Sequence, residues 1–430
     1  MNCKESLDYI SSVSIYGSVL GLDSIKELLK RLDNPQNKLK AVHIAGTNGK
    51  GSTIAFIESA LKNAGYKVGK YSSPAVYEYF EIITINGDNI TGDDYAKCMT
   101  LVKACCDAMV KEGLAHPTPF EIETALAFLY FSINKCDMVL VETGMGGETD
   151  ATNVFDKVLC SIITPISLDH MQFLGDSIEK IAQVKAGIIV KNCPVVVADQ
   201  TKEAIDVIKK VAADKKSPVI VTDEITNIEE KDGRLHFTYK EYSDLVPFMP
   251  GVYQSINAAV AIEVLRILEE CGFRVLSEDN IKKALEQASL CGRFEKISDS
   301  PVMILDGAHN PGAAAQLQKT VGLYFTNKKL AFIMGVLADK DYDKVARIMA
   351  PLADFIVTIT PNNKRALDAD SLKETVSKYN ANVVSSDSLE NAYNILLEKY
   401  NLGEIDAILA FGSLSYLGEL KRLVRREVDN

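Results

Sequence analysis

Residues 39–64 read LKAVHIAGTNGKGSTIAFIESALKNA. The apolar run Leu39–Ala45 has the length and composition of a buried strand, and Thr53–Ala64 reads as a helix stopped by Gly65. Between them lies AGTNGKGS, Ala45–Ser52. Gly46, Gly49 and Gly51 remove Cβ atoms where a loop must wrap closely, so backbone N–H groups can point at phosphate oxygens. Lys50 adds a positive charge for β- and γ-phosphates, and the helix N-terminus adds its dipole. Thr47, Asn48, Gly49, Lys50, Gly51 and Ser52 are therefore the candidate nucleotide-binding residues. The strict pattern G-x-x-x-x-G-K-[ST] is not met, because Ile44 stands at its first Gly and Gly51 at its Ser or Thr. The segment also reads as a Gly-rich turn with a surface Lys; the strand before it and the helix after it favour phosphate binding.

Outward from this loop, apolar strand candidates alternate with amphipathic helix candidates, the pattern of an α/β chain with a mainly parallel sheet. Asp137–Val141 and Val158–Ile163 are short apolar runs, while Ser177–Val190 and Gln254–Glu270 read as helices. A β segment is expected near Ile225–Tyr239. A second series begins near Phe294, with strands expected at Val302–Leu305, Leu330–Met334, Phe355–Ile359 and Ala407–Ala410. The turn Cys291–Phe294 is the best boundary. It predicts a large N-terminal P-loop ATPase domain at 1–292 and a smaller Rossmann-like α/β domain at 293–430.

The 430 residues are 47% hydrophobic and 24% charged, the proportions of a globular protein with ample core. A net charge of −11 argues against a nucleic-acid partner and requires local cations to attract any anionic substrate. Nine cysteines without C-x-x-C spacing suggest neither zinc nor a disulfide framework. No secretion signal or membrane-length apolar run is visible, so a cytoplasmic protein, by default a monomer, is expected.

Several other residues carry chemistry. Glu142 ends the run DMVLVE, and a carboxylate at the C-terminal end of a parallel strand can hold Mg²⁺. His170 lies in SLDHMQFLG, Lys185 in KAGI, Gln254 and Asn257 in PGVYQSINA, Arg293 in GRFE, and Asp306 and His309 in LDGAHNP. Taken alone, each also has a plain structural reading as a strand-end acid, a hydrogen-bonded His or a solvated Lys.

GTNGKGS resembles the nucleotide loop of the Mur ligase superfamily, and more narrowly the branch containing folylpolyglutamate synthase and dihydrofolate synthase. Matching motifs recur in order as far as SLSYLGE near the C-terminus, and only about 45 residues precede the loop, as in the folate branch. The resemblance implies an ATP-dependent amide ligase that activates a carboxylate as an acyl phosphate and couples it to L-glutamate. Dihydropteroate or a reduced folate would be the acceptor. It implies Glu142 and Ser73 as ligands of one Mg²⁺ and His170 as ligand of a second, with Asp169 as a partner orienting His170. Lys185 would support the second metal, in a form open to carbamylation by CO₂. Gln254, Asn257, Arg293 and Asp306 would approach ATP, with Lys50, His170, Lys185, Asp306 and His309 in the catalytic set. Val19, Leu20, Gly21, Phe120, Glu121, Thr149, Asp150 and Ala151 fall on the pterin side. One departure stands out. Relatives often carry R-[FY]-x-E-R after the Ser-Pro pair, and here Glu78–Ile82 keeps only Tyr79 and Glu81. That bears on substrate binding rather than on ATP chemistry. Two other readings remain open: a ligase of the superfamily with another acceptor, and a nucleotide-binding regulator without catalysis.

Overall fold

The computed structural model describes residues 1–17 and 21–428, so the expected substrate contacts Val19 and Leu20 lie outside the described residues. By packing, the chain divides into two compact units. The first comprises Met1–Ile166, Leu174–Glu224 and Ile256–Ala288; the second comprises Ser167–Phe173, Ile225–Ser255 and the chain from Ser289 onward. The expected cut at 292/293 lies just past the last of these boundaries. Two earlier segments, 167–173 and 225–255, pack with the second unit although they precede that cut.

The first unit is built on eight strands: β1 (Ala41–Ala45), β2 (Val68–Tyr71), β3 (Ile83–Ile85), β4 (Asp88–Asn89), β5 (Met138–Glu142), β6 (Cys160–Ile163), β7 (Val195–Val197) and β8 (Val219–Val221). Their order is β4-β3-β2-β5-β1-β6-β7-β8. All pairings are parallel except β2 with β3 and β3 with β4. Every residue of β1 and β5 is buried, as expected of central parallel strands covered on both faces. The nearly continuous apolar runs AVHIA and MVLV follow from that double burial. One face packs on the helices Gly92–Lys111 and Pro119–Ile133, whose Met99, Val102, Leu126 and Phe128 enter the same core as Val139 and Val141.

The second unit contains two sheets. One is an antiparallel meander of β9 (Thr226–Lys231), β10 (Arg234–Tyr239) and β11 (Tyr242–Leu245), longer than the expected β segment. The other joins β12 (Glu295–Asp299), β13 (Val302–Leu305), β14 (Leu330–Met334), β15 (Phe355–Thr358), β16 (Val383–Ser385) and β17 (Ala407–Phe411) in the order β12-β13-β17-β14-β15-β16. Only β12 runs antiparallel to its neighbour. Edge strands β12 and β16 escape a search for apolar runs because EKISD and VVS are polar or short. No described helix is long and apolar enough to cross a membrane.

Candidate active site

Strands β2, β5 and β1 are neighbours in parallel register, with Tyr71 beside Val141 and Ile44 beside Glu142. Their C-terminal ends therefore bring Ser73, Glu142 and the loop 46–52 to one edge of the first unit's sheet. The loop is held on the other side by β6: Thr164 N–H donates to Ala45 O at 2.9 Å, and the Thr47 and Asn48 N–H groups donate to Pro165 O at 3.0 and 3.2 Å. Those two N–H groups thus shape the loop. Gly46 and Gly49 take φ of +151° and +91°. A Cβ at Gly46 would collide with the Thr164 side chain, and one at Gly49 with the Asn257 side chain. Only glycine fits both the backbone and the space.

The helix Lys50–Asn63 begins with Gly49 as N-cap and no side-chain cap, and its ladder starts with Thr53 N–H to Gly49 O at 2.9 Å. The N–H groups of Lys50, Gly51 and Ser52 precede that ladder and point out of the helix end, the arrangement an oxyanion needs. Lys50 Nζ folds over the loop, 3.3 Å from Gly46 O, 3.4 Å from Thr47 O and 3.7 Å from Glu142 Oε1. Lys185, on the helix Ile178–Ala186 and 5% exposed, donates to the same Gly46 O at 2.8 Å. Two ammonium groups and one buried carboxylate thus meet at an uncapped helix N-terminus. In a chain of net charge −11, this is the local positive field an anionic nucleotide requires.

Lys185 reaches the loop because its helix is packed against the segment after Glu142. Glu148 N–H donates to Val184 O at 2.9 Å, and a Cβ at Gly147 would meet Val184 O at 2.7 Å and Lys185 O at 2.8 Å. On the opposite side of that segment Phe120 lies against Gly144 and stacks on Tyr71, ring centroids 6.0 Å apart. Phe120, Asp150 and Ala151 are thereby gathered near Glu142, whereas Thr149 is exposed. Two of the expected substrate residues have local duties. Glu121 closes a capping box, its Oε2 accepting from Thr118 N at 2.7 Å and Thr118 Oγ1 at 2.8 Å. Its Oε2 thus serves the start of its own helix. Asp150 is 6% exposed; Oδ2 accepts from Met145 N at 2.8 Å and Oδ1 from Thr152 N at 3.0 Å. Burial raises the Asp150 carboxyl above its ordinary range, against the pull of the Thr152 and Met145 donors. Gly21 is described, at φ +139° with open space where a Cβ would stand. Tyr79 and Glu81, kept from the family pattern, also bond locally: Tyr79 Oη donates to Glu123 at 2.6 Å, and Glu81 accepts from the N–H groups of Val76 and Tyr77.

In the second unit the organiser is Asp169. Its Oδ1 accepts from Lys340 Nζ at 2.6 Å and His170 N at 2.8 Å, and its Oδ2 accepts from Asn310 Nδ2 at 3.2 Å and lies 3.5 Å from His309 Nε2. Burial pushes the Asp169 carboxyl up, but His309, Lys340 and His170 pull harder and hold it well below the carboxylate range. The His170 ring stands with Nε2 3.9 Å from Asp169 Oδ2 and 3.3 Å from Lys340 Nζ. Asp306, 4% exposed, accepts from Phe294 N at 2.9 Å and Ala308 N at 2.8 Å, with Tyr253 Oη at 3.4 Å. Burial raises its carboxyl, opposed by the charge of Arg293, whose guanidinium lies against Gly307. His309 Nδ1 donates to Gly307 O at 2.8 Å. Gln254 is fully buried at the start of the helix Tyr253–Glu270, and Asn257, a turn later, packs on Gly49.

Lys340, Asn310 and Tyr253 are the residues that sequence reasoning passes over. Lys340 stands between Asp339 and Asp341, and Asn310 is followed by Pro311, the mark of a helix start. Among the described residues no group of three or more His, Cys, Asp or Glu side chains is gathered to hold a metal ion.

Comparison with known proteins identifies the family. Residues 44–265 match the Mur ligase middle domain and residues 292–414 the Mur ligase glutamate ligase domain. The dihydrofolate synthase/folylpolyglutamate synthase of Bacillus subtilis is 33% identical over 95% of this chain and 96% of its own. The dihydrofolate synthetase of Saccharomyces cerevisiae is 33% identical over 96% of this chain and 99% of its own. Among solved structures, the Mycobacterium tuberculosis folylpolyglutamate synthase complexed with ADP superposes with a TM-score of 0.89 at 26% identity, covering 98% of this chain and 99% of that one. E. coli FolC in complex with DHPP and ADP gives 0.86 at 28% identity over 100% and 99%. The chain belongs to the Mur ligase family, in the branch of the folylpolyglutamate and dihydrofolate synthases.

Proposed function

We propose that this protein uses ATP to join L-glutamate to the carboxylate of dihydropteroate, of a reduced folate, or of both. The observation that carries the reading is the convergence of Lys50, Lys185 and Glu142 on an uncapped helix N-terminus. Such a site suits a polyphosphate, residues 292–414 match a glutamate ligase domain, and the relatives are named as dihydrofolate and folylpolyglutamate synthases.

In this reading the ATP phosphates lie on the N–H groups of Lys50, Gly51 and Ser52. Lys50 neutralises charge on the transferring phosphoryl group, and Asn257 orders the loop through Gly49. The acceptor carboxylate takes the γ-phosphoryl group, forming an acyl phosphate with a far better leaving group than oxide. The amine of L-glutamate then attacks the carbonyl, giving amide, ADP and phosphate. Glu142 and Ser73 fit a magnesium ion: both offer hard oxygen ligands at adjacent strand ends, and the Lys50 ammonium stands 3.7 Å from the Glu142 carboxylate rather than on it. Glu142 and Ser73 would hold such an ion, which would neutralise charge on the β- and γ-phosphates. A second ion on His170 does not fit this arrangement, because the Lys340 ammonium already lies on Nε2. No step is assigned to it. Lys185 is assigned to the loop through Gly46 O, where its carbamylated form would keep one N–H donor; intact mass with and without bicarbonate tests that modification.

Arg293, set by Asp306 and Gly307, is assigned to the nucleotide phosphates, with Gln254 and His309 as further members of the set. Phe120, Asp150, Ala151 and Gly21 are assigned to the acceptor. The functional division remains residues 1–292 for ATP and 293–430 for ligation, in a cytoplasmic monomer. The test is phosphate release from ATP, Mg²⁺ and L-glutamate, with dihydropteroate or tetrahydrofolate supplied separately. Release with one or both names the acceptor. Release with neither, in folded protein that binds ATP, overturns the folate reading in favour of another carboxylate.

A further inference from the structure

His43 sits in β1, the strand that ends in the nucleotide loop, paired with Val141 of β5 and Ser161 of β6 and fully buried. Nε2 lies 2.8 Å from Thr152 Oγ1, and Thr152, itself fully buried, donates that hydroxyl to Asp150 Oδ1 at 2.5 Å. Asp150 in turn receives the N–H of Met145, in the segment that follows Glu142. A single line of contacts therefore runs from the sheet centre to the acceptor side: His43, Thr152, Asp150, Met145.

With Asp150 ionised, the protons along this line are determined. A threonine hydroxyl carries one hydrogen, and Asp150 takes it, so Oγ1 must accept from His43. The ring is then the Nε2–H tautomer. Nδ1 has no hydrogen-bond partner among the described residues, and the ring's neighbour is Phe155, edge-on at 6.0 Å between centroids. Burial holds the ring neutral by lowering its pKa to about 3. An unpaired nitrogen at the centre of a parallel sheet is unfavourable, and an apolar side chain would avoid it. The compensating gain is a donor that locks the Thr152 rotamer, and with it Asp150.

We propose that His43 and Thr152 are positioning residues that hold the Asp150 carboxylate and the segment 143–152 in the geometry that binds the acceptor. The proposal rests on the assignment of Asp150 to the acceptor side. It makes the backbone of β1 carry the ATP loop while a side chain of the same strand sets the acceptor loop.

The test compares Thr152→Val, His43→Leu and His43→Gln by steady-state kinetics, alongside long-range ¹H–¹⁵N spectra of the histidines in ligand-free protein. Thr152→Val and His43→Leu are expected to raise KM for the pteroate acceptor about tenfold while KM for ATP stays within about twofold, and His43→Gln, which keeps a donor, to fall between them and wild type. The double variant His43→Leu/Thr152→Val should be no worse than the poorer single one, because both cut the same line. In the spectra, the resonance removed by His43→Gln should be a neutral Nε2–H ring from pH 8 to pH 5 in wild type, and should lose that single tautomer in Thr152→Val. An Nδ1–H or protonated His43 in wild type overturns the proposal, as does an unchanged acceptor KM or an equal rise for ATP. If wild type uses neither pteroate compound, the folate reading fails, and the tautomer still decides whether the line of hydrogen bonds exists.

Discussion

Two buried carboxylates, Glu142 in the first unit and Asp169 in the second, have different surroundings. Glu142 faces the Lys50 ammonium at 3.7 Å, beyond hydrogen-bond reach, at the mouth of a phosphate-type loop. Asp169 is enclosed by Lys340 at 2.6 Å, the His170 N–H at 2.8 Å, Asn310 at 3.2 Å and His309 at 3.5 Å. A carboxylate in direct contact with an ammonium and two further donors gains little by meeting a metal. In the proposed reading Glu142 acts on the ligand, whereas Asp169 assembles other side chains.

The sharpest way to break this comparison starts at the loop. Lys50→Ala should reduce phosphate release by about a thousandfold or more with an unchanged thermal midpoint, because it removes transition-state charge from a folded helix end. A loss of stability instead would make Lys50 structural. Asp169→Asn should destabilise by about 3 kcal/mol in urea titration, since Lys340, 7% exposed, is left buried without its carboxylate. Glu142→Gln should do the reverse, costing about a hundredfold in turnover and raising the Mg²⁺ requirement with little change in stability. If Glu142→Gln unfolds the protein while Asp169→Asn only slows it, the two roles are exchanged.

The pH dependence sharpens the same point. The folded-state pKa of Asp169 lies below its ordinary value, so its contribution is fully present above the unfolded carboxylate pKa and is lost as pH falls toward the folded value. His43 acts in the same direction over a higher window. Its folded pKa of about 3 lies below the ordinary 6.5, so stability declines as pH falls from 6.5 toward 3, and His43→Gln should flatten that limb of a urea-midpoint profile. The smallest effect is expected at Glu121: Glu121→Gln should cost about 1 kcal/mol or less through the weakened capping box while kcat/KM stays within about twofold. A large rise in acceptor KM would return Glu121 to the substrate site.

Thr118-x-x-Glu121 illustrates how a local signature can be overshadowed. It is a capping-box pattern visible in TPFE, yet the family resemblance places it on the pterin side. The loop and its helix are legible because their residues are consecutive and their glycines answer a local steric demand. The helix begins at Lys50 rather than Thr53, since its uncapped first turn carries no propensity signal. The cluster around Asp169 is only partly legible. Lys340 is 171 residues away in the chain, and nothing in DKD says which carboxylate it will meet.

By itself the amino-acid sequence determined the α/β class, the glycine-rich strand–loop–helix, and Glu142 at a strand end, because backbone sterics and hydrophobic periodicity act over a few residues. Tertiary structure alone decided that Lys50 and Lys185 share one carbonyl, that Lys340 lies on His170, and that His43 reaches Asp150 through Thr152. Hydrogen bonds and ion pairs act over about 3 Å, and only folding brings such distant residues within that range.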